Sequence, residues 1–209
     1  LTGGPSSDAG ENVNLRTASH HGAVFQCVRV LSESIGSLPI GFYRSIAGAG
    51  RERVDGHNLY RLLGVSPNET QTAAEFWEMC MVHLGYRGNF YAYINRVKTG
   101  RNAGMVGELI PFHPDAVAVN LKSDGVIEYQ VYFNDGRSEV LPPKDVLHIK
   151  ILSLDGIVGM NPIEHARNTI GLSMALERHG ARMFKNGARP GGVLSTESRL
   201  DEPQAKAYR

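Results

Sequence analysis

His148, Ser153 and Asp155 are the residue types of a nucleophile, a base and an orienting acid, and they lie close together in the sequence. A hydrolase built on them would need the Ser on a sharp strand-to-helix turn, and no Gly-x-Ser-x-Gly pattern surrounds Ser153. Asp145 and His148, three residues apart on an expected strand, point to opposite faces. Gly48-Ala49-Gly50 lacks the following Gly-Lys-Ser/Thr of a phosphate loop and reads as a hairpin turn. His20-His21 are adjacent at an expected exposed helix start, so they share no face for a metal. His113 and Asp115 flank Pro114 in a turn. His165 and His179 fall on different faces of one long helix, the first suited to a core and the second to a surface. Glu108 falls in a different element from Glu75 and Glu78. The sequence therefore predicts no catalytic residue, no cofactor and no metal site.

Two other groups could bind. Arg178, Arg182, Lys185 and Arg189 cluster toward the end of the long helix, where cations gain from the helix dipole. The same four are the candidate contacts to DNA or to an acidic neighbouring subunit. Trp77 and the Phe90, Tyr91, Tyr93 group could stack on bases, but at their spacing they are expected to fill a sheet–helix core.

The elements that must carry these residues follow from periodicity and punctuation. A tail is expected over residues 1–15, rich in Gly and Ser. Val24, Cys27, Val28, Leu31, Ile35 and Leu38 recur at helical spacing and predict one buried stripe on a helix from near Ser19, stopped by Pro39. A hairpin through Gly48–Gly50 and a short helix over His57–Leu63 come next. Thr72 and Glu75 have capping-box spacing, so a helix should run from Ala73 to about Tyr86, ended by Gly88. Strands are predicted at 89–97, 106–112, 116–122, 127–133 and 146–151, with hairpin turns at Ser123-Asp124-Gly125 and Asn134-Asp135-Gly136. Asn161, Pro162 and Glu164 open a helix expected to reach Lys185, with apolar residues on more than one stripe: Ile163, Ala166, Ile170, Met174, Ala181 and Phe184, then Leu172, Leu176 and Met183. A strand over 191–194 and a capping box at Asp201 and Gln204 complete the pattern, and a chain stopping there is expected to be part of a longer protein.

Composition narrows the classes. Of 209 residues, 42% are hydrophobic and 21% charged, and the formal net charge is +1. A protein that wraps DNA tightly through phosphates is usually more basic, so tight static nucleic-acid binding is not expected. Cys27 and Cys80, the two cysteines, both sit in apolar helical patterns and are expected to be buried thiols. No stretch is apolar enough to span a membrane.

Taken in order, the punctuating residues resemble those of the portal proteins of phages with HK97-like heads. The matching pieces are Val24 to Arg29 with Leu38-Pro39-Ile40; Ser66-Pro67-Asn68 with Thr72 and Phe76; and Gly88-Asn89-Phe90-Tyr91-Ala92. Leu109-Ile110-Pro111, His113-Pro114 and Val117 are similar to the family's Leu-x-Pro-x-x-Pro-x-x-Val segment, and Asp145-Val146-Leu147-His148-Ile149 to its Asp-Val-x-His strand. Asp155-Gly156, Gly159 and Asn161-Pro162-Ile163 resemble a Gly-x-Ser-Pro helix start, with Asn in place of Ser as the N-cap. Phe184-Lys185-Asn186-Gly187 and Pro190-Gly191-Gly192-Val193-Leu194 close the series.

The resemblance implies an α+β, portal-type wing domain over 16–196, with mixed, mostly antiparallel strands packed with about three helices, and the start of a truncated stem helix over 197–209. It implies a structural subunit of a dodecameric ring at one capsid vertex of the virion, made in the bacterial cytoplasm and not an enzyme. The ring would conduct double-stranded DNA during packaging and ejection and join head to tail. Its expected partners are other copies of itself, the terminase large subunit, a head-completion or adaptor protein, and a capsid or scaffold protein, with no membrane. The other readings are a sequence-tolerant nucleic-acid-binding module and a hydrolase.

Overall fold

The computed structural model describes residues 6–48 and 50–188. The strand expected at 191–194, the capping box at Asp201, Arg189 and the expected stem-helix start lie outside them.

The chain alternates between helix and antiparallel sheet, so the class is α+β. Three helices are long: α2 (Gly22–Gly36), α4 (Ala73–Arg87) and α6 (Arg167–Lys185). Three are short: α1 (Leu15–His20), α3 (Asn58–Gly64) and α5 (Pro162–His165). The strands are β1 (Tyr43–Ile46), β2 (Gly50–Arg53), β3 (Asn89–Arg96), β4 (Val106–Phe112), β5 (Val117–Leu121), β6 (Ile127–Tyr132), β7 (Ser138–Leu141) and β8 (Val146–Lys150). They form a β1–β2 hairpin, a sheet in the order β4-β3-β8 and a sheet in the order β5-β6-β7.

β3 is the pivot, because it is buried on both faces. Successive side chains of a strand point to opposite sides. Phe90 and Ala92 point to α4 and pack with Phe76, Cys80 and Leu84, joined by Leu109 of β4. Tyr91 points the other way, to Tyr129 and Val131 of β6, Leu141 of β7 and Val146 of β8. The aromatic group expected to fill a core does so: Phe90 is fully buried, Tyr91 nearly so, and the indole N–H of Trp77 donates to the carbonyl of Leu63. The result is a central sheet between α4 and the second sheet, with α2 outside α4.

α4 has the expected start. The Thr72 hydroxyl accepts from the Glu75 N–H, and the Glu75 carboxylate accepts from the Thr72 N–H at 2.8 Å. Its end is Gly88, whose φ of +75° only glycine adopts cheaply. Gly88 then meets the loop before α5: a Cβ here would lie 1.9 Å from the Met160 carbonyl oxygen, and a Cβ on Gly159 would lie 2.1 Å from that of Gly88. Two backbones touch, and only glycines permit it.

Several expectations are corrected. Residues 6–14 are not a tail: Ser7, Glu11 and Val13 are buried, and Val13 packs with Ala18, Ile163 and Ile170. The first helix is two helices, broken at His21 in extended conformation. The helix expected over 162–185 is likewise two, broken at Ala166. The apolar stripe of α2 is not buried as a whole. Val28 is buried, but Leu31 and Leu38 are each more than half exposed, and Cys27 is an exposed thiol. β7 had no counterpart in the sequence pattern beyond the turn that precedes it.

Candidate subunit interface

The residues with catalytic types are spent on structure. His148 on β8 uses both ring nitrogens: Nε2 lies 3.0 Å from Asn89 Oδ1, and Nδ1 lies 3.2 Å from the Tyr129 hydroxyl. Asn89 Oδ1 also accepts from the Gly159 N–H at 2.7 Å, so His148 Nε2 carries the proton and the Tyr129 hydroxyl donates to Nδ1. Burial, reinforced by the nearby Lys150 ammonium, pushes the imidazole down to about 4, which keeps it neutral. Ser153 and Asp155 do not join it. The Ser153 hydroxyl bonds the Asp155 carboxylate and the Val158 carbonyl, at 2.9 and 2.6 Å. Asp155 Oδ1 also accepts from the N–H groups of Ile157 and Val158, and these bonds pull its carboxyl down to about 2. Asp155 ties the 153–158 loop to itself.

The remaining histidines are similarly placed. His21 is buried, against the expectation of an exposed helix start, and its Nε2 lies 3.1 Å from the Ser173 hydroxyl and 3.2 Å from Glu177 Oε1. His165 is exposed instead of forming core, and His179 is exposed. Asp115 pairs with Arg87 in the turn that holds His113. Among the described residues, no three His, Cys, Asp or Glu side chains gather into a metal-binding group. No helix among them is long and apolar enough to cross a membrane.

The basic cluster is partly assembled. Arg178, Arg182 and Lys185 are spaced four and then three residues apart, so they share one face of α6. Arg178 is committed within the chain: its guanidinium pairs with the buried Glu11 carboxylate and fastens the N-terminal segment to α6. Arg182 and Lys185 are exposed and make no ion pair among the described residues.

Two apolar surfaces are left open. On α6, Ile170 is buried and Met174 half-buried on the inner face, but Leu172, Leu176 and Met183 form a second stripe on the opposite side. These three are exposed by 55%, 63% and 51%. Phe184 is also exposed. The second surface is a groove of about 500 Å³ between α2 and α5–α6, with α4 as its floor. Val24, Cys27 and Leu31 form one wall, Met81 and Leu84 the floor, and Ala166 and Ile170 part of the other wall. The stripe in α2 was legible in the sequence as apolar. What the sequence did not show is that the other described elements leave it uncovered.

These faces belong to a fold with known relatives. The family model for phage portal protein matches residues 22–209. The chain belongs to the phage portal protein family. Among relatives of this portal-family chain is the portal protein of Enterobacteria phage HK97, 34% identical over 183 residues, which cover 87% of this chain and 42% of that protein. The probable portal protein of Streptomyces phage phiC31 is 31% identical over 208 residues, covering 95% of this chain and 44% of the relative. Protein BeeE of Escherichia coli K12 is 41% identical over 112 residues, 54% of this chain and 68% of that one. The chain spans less than half the length of the two phage relatives it matches. Among solved structures, the neck of an empty GTA particle computed with C6 symmetry aligns with a TM-score of 0.66 at 23% identity, over 93% of this chain and 52% of that one. An HK97-family phage portal protein from Corynebacterium diphtheriae aligns with a TM-score of 0.58 at 15% identity, covering 93% and 59%. The portal fold expected from the residue order is thus the fold observed.

Proposed function

We propose that the chain is a structural subunit of a phage portal ring at a capsid vertex of the virion, part of the conduit for DNA and of the head–tail connection, and that it carries no catalytic site. Family membership supports the class, and one feature of the fold carries the reading to a mechanism: two different apolar surfaces stay open after the core is filled. A closed ring needs a heterologous contact, in which each subunit offers one patch to its left neighbour and another to its right. The Leu172–Leu176–Met183 stripe and the α2–α6 groove are two such unlike patches. A helical stripe laid in an apolar groove is a common docking mode. Neck structures with this fold were computed with C6 and C12 symmetry, which agrees with a ring of copies.

Arg182 and Lys185 then lie at the rim of the contact or toward DNA; Arg189 is outside the described residues. A conduit should not grip its cargo, because each strong phosphate contact resists sliding, and the near-neutral chain is in keeping with that. The terminase large subunit, a head-completion or adaptor protein, and a capsid or scaffold protein are the partners this reading implies.

Sedimentation of the full-length protein tests the interface. Leu176→Asp, alone and with Leu172→Asp, should shift assembled protein toward monomer while the melting temperature of the monomer stays within a degree or so, since exposed positions usually contribute little to folding. Val140→Asp, on an exposed strand position far from α6, should assemble as the parent does. Assembly unaffected by the α6 substitutions would overturn the assignment of this face.

A further inference from the structure

A second concave region lies on the other side of α5 and is polar where the groove is apolar. It measures about 300 Å³ and is lined by Arg16 of α1, Arg87 at the end of α4, Asn161 and Glu164 around the start of α5, and Arg167 at the start of α6. Val13 closes the bottom. Three arginines and one carboxylate thus line it, and one of the arginines, Arg87, is already paired with Asp115. Glu164 neutralises none of them, as it makes no ion pair with any arginine among the described residues.

Two of the arginines carry a buried nitrogen that finds no partner among the described residues. Arg87 gives one nitrogen to Asp115, but its Nε is buried and has no hydrogen-bond partner. The Nε of Arg167 is also buried without a partner, and its side chain makes no ion pair among the described residues. Arg16 is exposed at the rim and makes no ion pair among the described residues. Removing guanidinium N–H groups from water without an acceptor costs free energy, so this arrangement is unfavourable for the empty fold. Helix stability does not account for it either: Arg167 occupies the first turn of α6, where the helix dipole disfavours a cation. The Asn161 side-chain oxygen caps α5, which leaves its amide N–H₂ as one more donor at the same place.

The geometry points to a binding site for a compact oxyanion, a phosphate or a carboxylate, held by Arg87 and Arg167 from the inside and Arg16 from the rim. Such a group offers two or more anionic oxygens, and guanidinium forks match them in plane and spacing. The site shares no residue with the α6 outer stripe or with the α2 wall of the groove; Ile163 of α5 lines both the site and the groove. A free ion and a carboxylate offered by another copy of the chain have the same chemistry here.

Calorimetric titration with sodium phosphate, and separately with sodium succinate, at ionic strength held constant with sodium chloride, tests the proposal. The parent should show saturable one-site binding of at least one of the two. Arg167→Met should weaken it by roughly tenfold or more, the loss expected when a charge-assisted hydrogen bond is removed. Arg101→Met, at an exposed turn position outside the site, should leave it unchanged. Should Arg167→Met fail to fold, Arg16→Met on the exposed side of α1 takes its place, with a weakening of several-fold. Sedimentation in the same titrations separates the two sources. An ion that binds without changing the mass assigns the site to free oxyanions, and one that lowers the mass assigns it to a neighbour's carboxylate. Absence of saturable binding of both ions, or affinities unchanged in both arginine variants, would overturn the site.

Discussion

His148 shows how a residue of catalytic type becomes a structural one. It is clamped between Asn89 and Tyr129 in a buried site, with the Lys150 ammonium nearby. The neutral ring is therefore favoured in the folded chain, with its pKa pushed from 6.5 down to about 4. His83 is held low in the same way, chiefly by burial and then by His113, also at about 4. The unfolded chain takes up these protons near 6.5, before the folded one does. Stability contributed by the two neutral rings is complete above about pH 6.5 and is lost as pH falls toward about 4. Urea midpoints should fall between pH 6.5 and about 5, a window above the ordinary carboxylate range. His148→Gln, which keeps polar partners without the titration, should flatten that decline. An unchanged slope would mean that the ring is not held neutral by its surroundings. The sequence showed His148 as a candidate without its partners, because Asn89 lies 59 residues away and reaches it only through sheet pairing.

Elements were legible in proportion to how local their causes are. The Thr72–Glu75 capping box, the Gly125 and Gly136 turns, and the alternation of β3 and β6 are each written within a few residues. The break at His21 is not, because helical periodicity runs through it. It is set by Ser173 and Glu177, on a helix 152 or more residues away. The ordered N-terminal segment has the same kind of cause: its polar residues are held by Asn168 and Arg178 of α6. Composition alone made that segment read as a tail. The open apolar groove could not be read either, since a periodic stripe specifies a face to be covered and not the chain that covers it.

The junction of β3 with the loop before α5 gives the sharpest test at this scale. Gly159→Ala places a methyl 2.1 Å from a backbone oxygen that cannot move without breaking the Ile151 N–H bond to the same group. It should cost about 3 kcal/mol or more in urea denaturation, at the severe end for a single substitution. Gly180→Ala meets nothing within 4 Å in the middle of α6 and should instead stabilise the chain by about 0.5–1 kcal/mol. Equal effects at the two positions would contradict the close backbone contact.

Across the whole molecule, a filled core leaves unlike surfaces open among the described residues. One layer of the core joins α4 to the central sheet, a second joins that sheet to β5-β6-β7, and both are filled. What stays open among the described residues is a pair of apolar helical surfaces and a separate pocket lined by three arginines. Electron microscopy of the full-length protein bears on this most directly. Closed rings with a central channel, in which density of one subunit covers the Leu172–Leu176–Met183 face of the next, are the predicted result. Particles that remain single subunits, or rings in which that face and the α2–α6 groove both stay bare to solvent, would contradict it.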